Sequence, residues 1–176
     1  MCIRDRLCSA EAAQALPFPR RATGEIMALR ERAAPVEEAE ILWDPSPRLL
    51  YPLLCASQTA SFLPPPFEPF YLDLSHRTRH GAARSAAIRA GDSLAACAIC
   101  SAKTEESAVL SAVAVRPDVR RRGLGARVVL ALAASLPVDT IYIFRASGEN
   151  EAFYRTLGFT GHSHFAELDV QERNNL

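Results

Sequence analysis

The segment Val113-Ala114-Val115-Arg116-Pro117-Asp118-Val119-Arg120-Arg121-Arg122-Gly123-Leu124-Gly125-Ala126 has the composition of an anion-binding turn. A strand-like apolar run ends at Val115, a turn with two glycines follows, and a helical pattern starts there. Glycine lets a backbone turn tightly and approach a ligand with no side chain in the way. The first amides of a new helix have no internal acceptor and lie at the positive end of its dipole. A diphosphate suits such a turn, and Arg120, Arg121 and Arg122 add positive charge around it. The plainer reading is a basic turn, because Arg-x-x-Gly-x-Gly alone is a weak pattern. A second segment, Glu149-Asn150-Glu151-Ala152-Phe153-Tyr154-Arg155-Thr156-Leu157-Gly158-Phe159, reads as a short helix stopped by Gly158. Its Tyr154 is either a core aromatic or a proton donor.

Other residues offer less. Cys97-x-x-Cys100 has redox or zinc spacing, but no second pair stands at zinc spacing, and a strand would point the two thiols to opposite faces. They read as buried structural thiols. His162-x-His164 supplies only two ligands and reads as a solvated loop, so no metal is expected. No serine has the G-x-S-x-G context of a hydrolase. The run Asp73-Leu74-Ser75-His76-Arg77-Thr78-Arg79-His80-Gly81 gathers two arginines and two histidines that could hold a carboxylate or phosphate. Alternatively, Asp73 neutralises one arginine and the rest are solvated. Arg77 and Arg79 share a face if this run is extended; His76 and His80 do so if it is helical.

The period of the apolar positions gives the elements that must position these groups. Residues 1–38 show no sustained period, with Pro17, Pro19, Arg20 and Arg21 breaking any helix and Met27 an alternative start. They read as an irregular tail outside the fold. Order is expected from the short strand Glu40-Ile41-Leu42-Trp43. Ser46-Pro47 then opens a helix with Leu49, Leu50, Leu53 and Leu54 on one face, ending before Pro64-Pro65-Pro66. Residues 67–81 read as a loop. Residues 83–89, 94–102 and 109–115 alternate as strands, the first two joined at Gly91-Asp92, and form an antiparallel meander. A helix carries Val128, Val129, Leu132, Ala133 and Leu136 to Pro137. A strand over 140–144, a helix over about 150–157 and a last strand over 165–170 close an α/β (α+β) domain spanning 39–176.

The chain has 176 residues, 49 % of them hydrophobic, enough for one domain with a sizeable core. Twenty basic residues balance twenty acidic ones, which removes the electrostatic footprint of a nucleic-acid binder. No apolar run approaches the roughly 20 residues that span a bilayer. Charges interrupt the N-terminus where a secretory peptide is apolar. Five cysteines make no disulfide framework, so a cytoplasmic setting is expected.

Taken together, the two segments resemble the paired signatures V-x-P-x-x-R-x-x-G-x-G and N…F-Y-x-x-L-G-F of the GNAT superfamily of acyl-CoA-dependent N-acetyltransferases. The resemblance runs from about residue 83 to 170, with residues 41–63 fitting the family's first strand and helix more loosely. It implies a mixed, mostly antiparallel sheet flanked by helices, with a splayed pair of central strands binding acetyl-CoA as co-substrate. On that resemblance Val113, Ala114 and Val115 would pair with the pantetheine arm. Residues 121–126 (Arg121, Arg122, Gly123, Leu124, Gly125 and Ala126), with Arg120 beside them, would wrap the pyrophosphate. Tyr154 would protonate the departing thiolate. Asn150 is the candidate cofactor asparagine, although many relatives carry theirs about one turn earlier, at this chain's Ser147. His76, Arg77, Arg79 and His80 fall where relatives line the acceptor site.

The chemistry has its own demands. An amine attacks a thioester only when unprotonated, so a base or water chain must take its proton. The tetrahedral oxyanion needs a donor fixed in advance, such as a backbone N–H at a strand end. Glu149, Asp73, His76 and His80 are conceivable bases. The expectation is an acyltransferase acting on a primary amine, of a small molecule or of a protein or peptide, as monomer or homodimer. The rival reading is a catalytically silent acyl-CoA-binding or sensing module.

Overall fold

The computed structural model describes residues 5–31, 40–59 and 62–169. In chain order the elements are β1 (Asp5–Ser9), α1 (Ala12–Ala15), β2 (Arg20–Leu29), β3 (Ile41–Trp43), α2 (Pro47–Ala56), α3 (Phe67–Arg79), β4 (Arg84–Ala90), β5 (Ser93–Lys103), β6 (Ser107–Val115), α4 (Leu124–Ser135), β7 (Thr140–Ala146), α5 (Glu151–Thr156) and β8 (Thr160–Asp169). They form two compact units, one of residues 1–28 and 143–176 and one of residues 29–142.

In the 29–142 unit, β3, β4, β5 and β6 pair in that order, each antiparallel to the next. This is the expected meander with one short strand added at its edge. One face, carrying Ala87, Cys97, Ile99 and Ala114, packs on Leu50, Leu53 and Leu54 of α2 and Leu74 of α3. Alternate residues such as Ala86 and Ala98 point the other way and are fully buried. Helix α4 also packs on β4 and β5, burying Val128, Val129, Leu132 and Ala133 as the spacing predicts. Small side chains let helices cover both faces closely, which is the α/β arrangement expected. Register shifts between Ile99 and Cys100 and between Cys100 and Ala102 mark bulges in the β5–β6 pair. Ser46 caps α2 through its hydroxyl, which accepts from the Arg48 amide at 3.3 Å. Leu49, expected on the buried face, is 38 % exposed.

In the other unit β8 pairs antiparallel with both β1 and β2. The residues expected to be an irregular tail therefore include two strands and a short helix, and Met27 and Ala28 are almost wholly buried. The prolines that interrupt helical periodicity lie between α1 and β2, where they break no strand ladder. Residues 1–4 and 32–38 of that expected tail lie outside the described residues. The last strand starts at Thr160 rather than 165, so His162 and His164 lie on a strand, exposed, and not in a loop. Val170 lies outside the described residues.

Gly24 of β2 shows how tightly this unit is closed. A Cβ there would meet the Arg145 carbonyl oxygen and the Phe165 ring, all closer than real contacts allow. Gly24→Ala is expected to lower stability by about 1–3 kcal/mol, the usual scale of overpacking. A melt unchanged to within a degree would contradict that packing.

Candidate functional site

The turn after β6 is held from its own strand end. The Val115 carbonyl accepts from Arg120 Nε at 3.2 Å and from the Ser57 hydroxyl at 3.3 Å. Arg116 forks onto Asp118 at 2.6 and 3.0 Å and reaches the Ser93 hydroxyl at 2.7 Å. That fork holds the Asp118 carboxyl below its usual range, the Arg116 hydrogen bond being the largest cause. Arg116 thus serves the turn's own structure. Past it, Arg121 (φ 61°) and Gly123 (φ 76°) both adopt the left-handed conformation. Gly123 is the N-cap of α4 and supplies no side-chain acceptor. The first intrahelical bond runs from the Arg127 amide to the Gly123 carbonyl at 3.1 Å. The Leu124, Gly125 and Ala126 amides precede it and have no helical acceptor. Arg120, Arg121, Arg122 and Gly123 are exposed, while Gly125 is buried. Val113 and Val115 are half-buried on β6 and Ala114 is in the core. All the expected cofactor residues between 113 and 126 therefore lie on one strand end and one helix start.

The tyrosine segment belongs to the other unit. Helix α5 has six residues, and its Tyr154 is half-buried. Asn150 stands at its N-cap with φ 55°, outside the helix proper. The Tyr154 amide donates to the Asn150 carbonyl at 3.1 Å. Glu149 precedes α5 and Ser147 is exposed. The Tyr154 ring stands edge-on to Phe153 (5.0 Å) and Phe159 (5.6 Å). Burial pushes its phenol up to about 12, so it holds its proton throughout the neutral range. Since the folded value lies above the unfolded one, this group's contribution to stability is complete below pH 10 and is lost as pH rises through about 12.

The stretch expected to be a basic loop is instead the C-terminal part of α3. Proline is tolerated in a first helical turn, Leu74 packs into the core, and Arg77 pairs with Asp73 at 2.8 Å across one turn. Arg77 also donates to the Ser101 carbonyl at 3.3 Å. On a helix Arg77 and Arg79 diverge, so the paired arginine fork does not form. His76 and His80 do share a face, their rings 4.4 Å apart. Cys97 and Cys100 are free and buried, and burial pushes the Cys97 thiol up to about 12, as befits a structural thiol. Among the described residues no three His, Cys, Asp or Glu side chains are placed to hold a metal, and no helix is long and apolar enough to cross a membrane.

One constellation was not foreseen. Arg145 of β7 is 8 % exposed and donates to Glu25 of β2, to Glu151 of α5 at 2.8 Å, and to the Ala146 and Glu149 carbonyls at 3.3 Å. It ties the start of α5 to the sheet of its unit.

Residues 86–166 match the family model described as FR47-like protein. No curated protein matches in sequence. Solved structures do. A putative GNAT-family acetyltransferase from Novosphingobium aromaticivorans is 18 % identical over 94 % of this chain and 66 % of its own, with a TM-score of 0.66. A GCN5-related N-acetyltransferase from Sphaerobacter thermophilus is 15 % identical over 93 % and 57 %, with a TM-score of 0.66. Another from Kribbella flavida is 14 % identical over 94 % and 67 %, with a TM-score of 0.64. The chain thus spans less than two thirds of the first two relatives' length. Residues 86–166 thus resemble the FR47-like family, and the chain has the fold of these GNAT-related structures.

Proposed function

We propose that this protein transfers the acetyl group of acetyl-CoA to a primary amine. The observation that carries the reading is the turn of residues 120–126, where two left-handed residues present the free first amides of a twelve-residue helix amid three exposed arginines. These amides would take the diphosphate, and the end of β6 would pair with the pantetheine amides. The unprotonated amine attacks the thioester carbon, the tetrahedral oxyanion collapses, and the carbon–sulfur bond breaks. Tyr154 would supply a proton or a strong hydrogen bond to the leaving sulfur. A phenol held at about 12 acts on charge as it develops, since it is too weak an acid to protonate the sulfur in advance. Support comes from the fold, from the family match and from the proton held on Tyr154.

The turn is testable against a matched control. Gly123 and Gly81 both have positive φ (76° and 69°) and open space where a Cβ would go. Alanine at either position should cost about 1 kcal/mol of stability through backbone strain. Only Gly123→Ala should also weaken acetyl-CoA binding, by tenfold or more, because the amides are displaced. Equal calorimetric affinity in the two folded variants would remove the turn from the binding site.

A further inference from the structure

The unit of residues 1–28 and 143–176 holds a half-open cavity of about 240 Å³ lined by Ala10, Thr23, Gly24, Glu25, Arg145, Ser147, His164 and Phe165. That volume is below the roughly 300–1,000 Å³ of sites for drug-sized ligands, so it suits a small molecule or the end of a longer one. The polar groups in it are not equivalent. Arg145 has nothing left to give an anion. Its two terminal nitrogens are committed to two carboxylates and two carbonyls, and its Nε is enclosed with no partner. Glu25 is the opposite case. Its side chain is 15 % exposed, and Oε2 takes the Arg145 bond, which fixes the carboxylate in place. Glu25 lines the cavity, and among the described residues no hydrogen bond is made to its Oε1. Gly161 keeps room for it, since a Cβ there would lie 2.5 Å from Oε1. The Ser147 and Thr23 backbones are bonded across the rim, amide to carbonyl at 3.2 Å, and Phe165 and Ala10 supply an apolar side.

We infer that this cavity binds a small primary ammonium group, held by Glu25 Oε1, with the ligand's carbon chain against Phe165. A carboxylate oriented by a buried guanidinium, with one oxygen free in a small half-apolar cavity, is complementary to a cation that brings N–H donors. Hydroxyls at Ser147 and Thr23 can accept its remaining hydrogens. The geometry selects a cation over an anion because, among the described residues, the one buried positive charge has both terminal nitrogens on protein acceptors and its Nε enclosed. Where acetyl transfer holds, the ligand is the acceptor amine. The binding inference itself does not require transfer.

The test is titration of the full chain, without acetyl-CoA, with n-butylammonium, n-butanol and butyrate, followed by calorimetry and by the chemical shifts of Thr23, Glu25 and Ser147. Butylammonium should bind at least tenfold more tightly than either isostere and shift those amides. Glu25→Gln, which keeps the shape and removes the charge, should lose that preference. Gly161→Ala, which crowds Oε1 and keeps both charges, should weaken butylammonium by a similar factor; a circular-dichroism melt establishes that each variant is folded. Equal binding of butanol, no binding of butylammonium, or a preference that survives in both folded variants would overturn the inference. Release of CoA in a separate turnover assay judges acetyl transfer, so the two ideas can fail independently.

Discussion

Replacing Tyr154 by phenylalanine is expected to slow acetyl transfer by about 10²-fold or more while leaving acetyl-CoA affinity near the wild-type value. The substitution removes one hydroxyl and nothing else. The edge-on contacts of the ring with Phe153 and Phe159 are made by carbon atoms and persist. A loss confined to kcat therefore reports a group that acts on the leaving sulfur as the carbon–sulfur bond breaks. The wild-type protein should show no alkaline loss of transfer rate from Tyr154 until pH approaches its raised value of about 12. Single-turnover CoA release at saturating acetyl-CoA makes the comparison. Wild-type rates in the phenylalanine variant would assign Tyr154 to packing alone.

Arg145→Met is expected to lower the stability of the fold by about 3 kcal/mol, the scale on which removing one partner of a buried ion pair strands the other. Arg145 is 7 % exposed at its side chain, and without it Glu25, 15 % exposed, loses its ion-pair partner. Glu151 suffers less, because Arg155 holds its other oxygen at 2.8 Å. For a chain of this length the loss corresponds to a drop in Tm of about 6–12 °C. The double variant Arg145→Met/Glu25→Gln should regain part of it, since no bare carboxylate is then left behind. Transfer should fall as well, because Arg145 holds the Glu149 carbonyl and the Glu151 carboxylate at the start of α5. A single variant as stable as the parent, or a double variant less stable than both singles combined, would contradict the role given to the pair.

The parts of this protein that could be read from its sequence are the local ones. The glycine turn before α4 and the F-Y-x-x-L-G-F run are contiguous, and the alternation over β4, β5 and β6 needs only neighbours a few residues apart. The N-terminal strands escaped because their partner is remote: Thr23 pairs with Ala166 of β8, and the first exposed residues of β2 carry no apolar alternation. Helix α3 escaped because prolines and clustered basic residues read as a loop, although the Asp73–Arg77 spacing and the buried Leu74 were signals for a helix. Arg145 sits at an inward position of a strand otherwise lined by Ile141 and Ile143. A charge there was the visible sign of a buried pair. Its partner Glu25 lies 120 residues away, beyond the reach of any periodicity.

In the proposed reaction the amides opening α4 hold the acetyl-CoA diphosphate, and the most direct measurement is an amide-resolved NMR titration of the full chain with acetyl-CoA. The largest shifts are predicted at the Arg121, Arg122, Gly123, Leu124, Gly125 and Ala126 amides, saturating together with those of the Val113 to Val115 strand end. Unchanged amide signals at 121–126 when acetyl-CoA is saturating would contradict it.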